Sequence, residues 1–122
     1  MRVLLSILLA AHAIAHLPGF LVSWRIIPGH QDLPYRTTIL GGRFDVGTTG
    51  SRVVGLMWLV AGFVVGLASV VVFRNADNWW TYTGAAVAFS TFMTLLGWPD
   101  SRTGAVLNTV VIAFLVWAAA IP

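Results

Sequence analysis

Charged residues divide this chain into four long segments that are uncharged and mainly apolar. Each segment holds about 20 residues, and at a rise of about 1.5 Å per residue a helix of that length crosses the roughly 30 Å hydrocarbon core of a bilayer. The pattern predicts an all-α fold, an integral membrane antiparallel four-helix bundle in one domain, with a long loop at 25–52 between helices 1 and 2. The predicted helices cover residues 3–24, 53–73, 78–98 and 103–121.

The composition excludes several classes of protein. Hydrophobic residues make up 58% of the chain and charged residues 9%, against about 25% charged in an ordinary soluble domain. A soluble fold of this size cannot bury so much apolar surface. The arginines lie at the ends of the apolar segments and form no basic run, which is typical of interface anchors and argues against a nucleic-acid partner. Because cysteine is absent, disulfides and thiolate metal sites are excluded.

The distribution of arginine predicts a topology. The long loop and the short connection at 99–102 together carry five arginines, and the other side of the predicted bundle carries two. Because cytoplasmic loops are enriched in positive residues, we expect a bacterial inner-membrane protein with loops 25–52 and 99–102 in the cytoplasm. The first segment resembles a secretory signal, but its apolar stretch continues to Val22, so we expect a retained helix.

Small residues on the second predicted helix indicate how the bundle packs. Gly62 and Gly66 form a GxxxG pair, and Gly55 precedes them by one heptad. In lipid, helices associate where small residues let their backbones approach closely. We expect this face to contact another helix of the bundle or a second copy in a homodimer.

The first predicted helix carries two histidines at a depth where polar groups are costly. His12 and His16 are four residues apart, so they project from one face, and Pro18 follows closely and is expected to kink the helix. Polar groups in a membrane helix tend to face the bundle interior or a wet cavity. Ser90 lies at a similar predicted depth. We expect one ligand or polar cluster in the bundle formed by His12, His16, Thr91, Thr94 and Asn108.

This polar cluster has more than one interpretation. Its side chains can act as hydrogen-bonding glue between helices, worth about 0.6 kcal/mol each, with Asn108 bonded to His16 or Thr94. Alternatively, the spacing of His12 and His16 lets both imidazoles reach one metal ion, with His30 as a third ligand if the loop folds back. No complete ligand signature is present, so we expect no cofactor, and a metal or a haem is the alternative.

The tryptophans also allow two interpretations. Most of them fall at predicted helix ends, where indole rings sit at the level of the lipid headgroups. Trp58 and Trp117 lie further inside the membrane. The alternative is a ligand pocket lined by tryptophan.

The long loop mixes charged and apolar residues, and this argues against disorder. Such a loop in a small protein is uncommon and usually functional. We expect it to cap the membrane end of the bundle through Arg25, His30, Arg43 and Asp45, with Asp45 paired to Arg43 or Arg52. A solvated loop whose arginines bind lipid phosphates is the alternative.

Two short motifs carry a resemblance to known proteins. Residues 55–59 read Gly-Leu-Met-Trp-Leu, and residues 97–99 read Gly-Trp-Pro, followed by Gly104 and Asn108. The chain resembles small uncharacterised bacterial four-helix membrane proteins, DoxX-like or labelled as permeases. The resemblance implies a compact four-helix bundle and carries over no catalytic residues.

Three classes of function remain open at this point. The small-residue faces favour a structural or accessory subunit of a membrane complex, either a homo-oligomer or part of a larger assembly. The second class is an oligomeric transporter or channel with a path lined by His, Thr and Asn. The third is a membrane oxidoreductase that uses the histidines to bind a metal or haem, and an enzyme is the less favoured alternative.

Overall fold

The computed structural model describes residues 1–121 and confirms the all-α prediction. Its helices are α1 (Arg2–Ala15), α2 (Leu17–Ser23), α3 (Gly47–Phe73), α4 (Trp79–Leu96) and α5 (Arg102–Ala120), and a two-residue hairpin joins β1 (Thr38–Ile39) to β2 (Phe44–Asp45). Helices α1 and α2 follow each other as one helical segment, so four such segments make up the fold.

The four segments pack around one apolar core. Helix α1 lies along α3, α3 packs on α4, and α4 packs on α5, while α5 makes only light contact with α1. Helix α2 packs on α3. The core lies towards the chain termini, and its buried residues are Leu5, Leu9, Val65, Ala68, Val72, Ala86, Val87, Val111 and Leu115.

Three of the four segments are long and apolar enough to cross a membrane. They are Arg2–Ser23, Gly47–Phe73 and Arg102–Ala120, with mean hydropathies of 1.8, 2.5 and 1.9. Helix α4 is not among them. It spans 18 residues and includes several hydroxyl side chains, which lower its hydropathy. The membrane crossing of all four segments stays a prediction, and the hydropathy of α4 does not add support to it.

The first helical segment is interrupted beside its histidines. α1 ends at Ala15, His16 lies between the two helices, and α2 begins at Leu17 with Pro18 in its first turn. Proline lacks a backbone donor and is tolerated in the first turn of a helix but not in its interior. The break therefore lies two residues before Pro18, and His16 at the break is buried inside the bundle.

Glycines of α3 allow α1 and α2 to approach closely. A Cβ atom at Gly62 would lie 3.0 Å from the Ala13 carbonyl oxygen and 3.1 Å from His16 Cβ, and one at Gly55 would lie 2.7 Å from Ser23 Cβ. At Gly66 the nearest atom, Ala13 Cβ, would be 3.7 Å away. Gly62 and Gly55 thus mark the tightest part of this helix contact.

The long loop folds over the end of the bundle. Structurally it is shorter than predicted, because α3 already begins at Gly47. The β1–β2 hairpin places its turn against the end of α4, where the amides of Leu40 and Gly41 donate to the carbonyl oxygens of Leu96 and Trp98 at 2.9 and 3.0 Å. These bonds satisfy carbonyl groups that a helix end leaves unpaired.

Two further contacts hold the loop to neighbouring segments. Ser51 Oγ donates to the Arg36 carbonyl oxygen at 2.9 Å, and the Arg36 side chain forms a two-point ion pair with Asp100. Asp100 follows α4 in the chain, so this pair joins the loop to the turn between α4 and α5.

The expected pairing of Asp45 is wrong. Asp45 Oδ1 accepts a hydrogen bond from the backbone amide of Gly47 at 2.9 Å, and within residues 1–121 the ion pair is Arg36 with Asp100. A carboxylate can accept a hydrogen bond from the amide two residues further along the chain. This local bond avoids the entropy cost of ordering a long arginine side chain. Asp45 therefore supports the start of α3 and does not join two parts of the loop.

Candidate ligand-binding site

A cavity of about 620 Å³ lies beneath the loop. Its wall includes residues of every helix, of the hairpin and of the α4–α5 turn. Helix α2 packs on α3 and α5 packs on α4, whereas α2 and α5 make little contact with each other. The cavity therefore occupies the space that these two helices do not close.

Trp58 of α3 forms a central part of the wall. A Cβ atom at Gly19 would lie 2.8 Å from Trp58 Cγ, and one at Gly97 would lie 3.0 Å from its Cζ2. The His16 ring centroid lies 5.5 Å from that of Trp58. The indole is thus fixed between α2, the end of α4 and a histidine. Trp98, Leu96, Leu107, Ile39 and Val22 add further apolar surface.

The inner end of the cavity reaches a buried hydrogen-bond network. His12 Nε2 lies 2.9 Å from Asn108 Oδ1 and 3.0 Å from Ser90 Oγ. His16 Nε2 lies 2.9 Å from the same Ser90 oxygen, and His16 Nδ1 lies 2.8 Å from the His12 carbonyl oxygen. All four residues are at most 2% exposed. The network therefore joins α1, α4 and α5 at one level.

The direction of each hydrogen bond follows from one carbonyl group. The His12 carbonyl can only accept, so His16 Nδ1 carries a hydrogen and donates to it. In a neutral imidazole the other nitrogen then accepts, so the Ser90 hydroxyl donates to His16 Nε2. Ser90 Oγ has only lone pairs left for His12, which makes His12 Nε2 a donor to both Ser90 and Asn108. No carboxylate belongs to this network, and an apolar interior favours neutral rings.

This arrangement leaves two buried polar atoms without a hydrogen-bond partner, His12 Nδ1 and Asn108 Nδ2. Because His12 Nε2 carries the hydrogen, His12 Nδ1 is an acceptor, whereas Asn108 Nδ2 is a donor. An unpaired buried polar group costs about 1 to 3 kcal/mol. The network is therefore complete except for one acceptor and one donor.

The structure brings together some of the residues expected in the polar cluster and separates others. His12, His16 and Asn108 meet, and Ser90 takes the bridging place between the histidines. The expected partners of Asn108, His16 and Thr94, are wrong, because Asn108 bonds to His12. Depth alone cannot distinguish these partners, since it does not fix the rotation of a helix about its axis.

The two threonines of the expected cluster bond to their own helix. Thr91 Oγ1 donates to the Val87 carbonyl oxygen and Thr94 Oγ1 to the Thr91 carbonyl oxygen, both at 2.8 Å. Thr94 still lines the cavity. Ser90 lies four positions before Thr94 and thus on the same face of α4. Its hydroxyl, and not those of the two threonines, contacts the histidines.

The geometry gives the two histidines partners within the protein. Both nitrogens of His16 and Nε2 of His12 are engaged in hydrogen bonds. In the part of the chain described, no three His, Cys, Asp or Glu side chains come together as a metal-binding group. His30 lines the cavity, and its Nδ1 accepts from the Asp32 amide at 3.3 Å. Metal binding by His12 and His16 stays a prediction.

Among the described residues, Arg25, Arg43 and Asp45 of the expected cap are not part of the cavity wall. The Arg25 guanidinium lies 4.5 Å from the centre of the Tyr35 ring, a cation–π contact. Arg43 is exposed. Hydrogen bonding to Asp100, and then its charge, raises the pKa of Arg36 above its ordinary value. The Arg36–Asp100 pair was not expected from the sequence, because the two residues are distant along the chain.

Comparisons with known proteins found no match. No family model matches the chain, no curated protein matches it in sequence, and no solved structure matches its fold. The geometry of the cavity and of the network beneath it therefore carries the functional argument.

Proposed function

We propose that this is an integral membrane protein that binds a small, mainly apolar molecule in the cavity beneath its loop. The observation that carries the proposal is the cavity of about 620 Å³. Ligand sites are commonly clefts of roughly 300–1,000 Å³ with apolar walls and a few converging polar groups. Here Trp58, Trp98 and aliphatic side chains supply the apolar wall, His12 and His16 lie at the inner end, and Asp32, Arg36 and Asp100 lie at the loop end.

The position of the cavity supports a ligand that comes from the bilayer. The cavity wall includes residues of α2 and α5, which belong to two of the apolar segments. A lipophilic molecule partitions into the membrane, and in this proposal it enters the cavity between these two helices. The loop closes the end of the bundle above the cavity, through its bonds to Leu96, Trp98 and Asp100.

The packed core favours a pocket over a passage. The cavity wall ends at His12, one turn above Leu9, and Leu9 belongs to the apolar core together with Val65 and Val111. These three residues are completely buried. A molecule that enters beneath the loop therefore meets close-packed side chains before it reaches the far side of a single copy.

Filling the cavity tests the proposal. Leu107 lines the cavity from α5, whereas its neighbour Val106 is 63% exposed on the outer face. The protein in lipid nanodiscs is labelled with a short alkyl diazirine, and the labelled peptides are mapped by mass spectrometry. We expect saturable labelling of peptides from α2 and α5, reduced more than about tenfold in Leu107→Trp, since a tryptophan occupies the volume that the ligand needs.

Val106→Trp is the matched control, because it adds the same indole to the same helix on the lipid side. It should label like the natural sequence. If labelling is unsaturable, or if both variants label alike, the probe reports only lipid-exposed surface and the proposal is wrong.

Two functions expected from the sequence stay predictions. An accessory subunit should be recovered from native membranes with a partner in fixed ratio, and purification as a single species would contradict that role. An oligomeric transporter should form a stable oligomer in detergent. The exposed faces of α5 are compatible with lipid as their only neighbour, so they do not favour a protein partner.

A further inference from the structure

The corner where α2 ends and α3 begins carries two arginines that each lie over an aromatic ring. The Arg25 guanidinium lies 4.5 Å from the centre of the Tyr35 ring, and the Arg52 guanidinium lies 5.6 Å from the centre of the Trp24 ring. Trp24 Nε1 also donates to the Arg52 carbonyl oxygen at 3.0 Å. The indole therefore joins the end of α2 to the start of α3 and positions one of the two cations.

Both guanidinium groups are available to a ligand. Arg25 and Arg52 are exposed, and within residues 1–121 neither forms an ion pair, since Arg36 with Asp100 is the pair there. A ring contact uses the face of a guanidinium and leaves the donors along its edge, which fit phosphate oxygens two at a time. This part of the chain thus presents two positioned cations that have no carboxylate partner.

An exposed apolar stripe runs along α3 from Arg52. Leu56, Val60, Phe63 and Leu67 follow Arg52 at intervals of three or four residues, so they share its face of the helix, and they are 43% to 67% exposed. At a rise of about 1.5 Å per residue the stripe is about 22 Å long, which exceeds the roughly 15 Å depth of hydrocarbon in one leaflet of a bilayer. An acyl chain therefore finds apolar surface along its whole length.

We propose that this α2–α3 corner binds an anionic phospholipid, with its phosphate on Arg25 and Arg52 and an acyl chain on the stripe of α3. The inference rests on the membrane location in the proposed function and adds a second site, because neither arginine belongs to the cavity wall. A glycerol headgroup leaves the lipid with a net negative charge, whereas a choline headgroup adds a cation beside the two arginines. The corner therefore selects the anionic lipid.

Lipid titration measures this selectivity. Phosphatidylglycerol and phosphatidylcholine with the same acyl chains are each added to the protein in non-ionic detergent, and bound lipid is counted by native mass spectrometry. We expect phosphatidylglycerol to bind more tightly. Arg25→Gln and Arg52→Gln should each weaken its binding about fivefold, the contribution of one basic residue near an anionic surface. Equal affinity of the two lipids for the natural sequence would overturn the inference.

Arg43→Gln and Arg102→Gln are the matched controls. Both arginines are exposed at the same end of the bundle, and among the described residues neither lies over an aromatic ring. These variants should leave the affinity for phosphatidylglycerol nearly unchanged. If they weaken binding as much as the corner variants do, the lipid responds to the overall charge of this end, and the corner is not a site.

A second measurement needs no variant. In nanodiscs, phosphatidylglycerol with a diazirine in one acyl chain should label α3 between Leu56 and Phe63, and unlabelled phosphatidylglycerol should compete. Soluble glycerol phosphate should not compete, because it lacks the acyl chain that lies on α3. Uniform labelling of all exposed helix faces would contradict a phospholipid at this corner, and competition by glycerol phosphate would assign the arginines to a free phosphate ester instead.

The outcomes separate this inference from the proposed function. A protein that incorporates into nanodiscs and labels its cavity, but does not distinguish phosphatidylglycerol from phosphatidylcholine, overturns the phospholipid site alone. A protein that does not incorporate into nanodiscs overturns both, since each places the bundle in a bilayer.

Discussion

The two ends of the bundle are packed differently. At the end near the termini, the helices interlock around Leu9, Val65 and Val111, which are completely buried. Two serines there satisfy each other, because Ser6 Oγ donates to the Ser69 carbonyl at 3.0 Å and Ser69 Oγ to the Ser6 carbonyl at 2.8 Å. At the loop end, the helices separate around a cavity.

Unpaired polar atoms follow the same division. Within residues 1–121, four buried side-chain polar atoms have no hydrogen-bond partner, and only Thr83 Oγ1 lies near the first turn of α4, away from the loop. The other three, on His12, Tyr35 and Asn108, lie at the loop end. Close packing serves stability, whereas incomplete packing with unpaired polar groups is typical of a binding site.

The largest expected difference in stability comes from truncating one leucine to alanine at each end of the bundle. Leu9→Ala removes a side chain from the closed core and should lower the free energy of unfolding by about 3 kcal/mol. Leu107→Ala enlarges a space that already exists, so the lost contacts are fewer and the cost should be under about 1 kcal/mol. Unfolding in mixed micelles with increasing sodium dodecyl sulfate measures both. Equal losses would show that the two ends are packed alike.

A methyl group added at a glycine of α3 tests the contact between α1 and α3. This contact extends along both ends of the bundle. Gly62→Ala places its Cβ 3.0 Å from the Ala13 carbonyl oxygen. That atom belongs to the backbone and cannot turn away, so overpacking should cost about 1 to 2 kcal/mol. The same unfolding assay measures it.

Gly84→Ala in α4 is the control for that substitution. A Cβ there meets no atom within 4 Å, and alanine favours a helix over glycine by about 0.5 to 1 kcal/mol. The control should therefore stabilise the protein slightly. A Gly62→Ala protein as stable as Gly84→Ala would mean that α1 is held less closely than the structure shows.

Much of this architecture follows from the sequence, because long uncharged apolar runs separated by charged residues favour helices of about 20 residues. Charge spacing places four helical segments, and the break beside Pro18 follows from the missing proline donor. The glycines of α3 indicate a close helix contact, but they do not identify which residue of α1 lies opposite. That depends on helix rotation, which the apolar pattern of a membrane helix specifies poorly because lipid and core are both apolar.

The site was less predictable than the fold. The four-residue spacing of the histidines places them on one face, but the bridge through Ser90 needs two helices in register. The cavity is lined by residues that are distant along the chain, and no local pattern specifies such a space. The Arg36–Asp100 pair likewise depends on how the loop folds back.

The polar network offers a smaller test of the loop end. Ser90→Ala removes the donor to His16 Nε2 with little change in volume, and it should cost about 1 kcal/mol, within the range of hydrogen bonds between membrane helices. Thr91→Val is the control, because its hydroxyl donates to its own helix, and its cost should stay under about 0.5 kcal/mol. If the two losses are equal, Ser90 does not bridge the histidines.

The smallest expected effect on stability concerns the ion pair that holds the loop over the cavity. The Arg36 side chain is 53% exposed, so water screens the pair, and a double-mutant cycle of Arg36→Gln with Asp100→Asn should give a coupling of about 0.2 to 1 kcal/mol. Arg43→Gln, in the same loop, should show no coupling to Asp100→Asn. The ion pair contributes more to the position of the loop than to stability, since it joins the loop to the α4–α5 turn at the cavity wall. Both single variants should therefore weaken the saturable labelling of the cavity by the alkyl diazirine while leaving the unfolding free energy nearly unchanged, and unaltered labelling would show that the backbone bonds of Leu40 and Gly41 hold the loop without it.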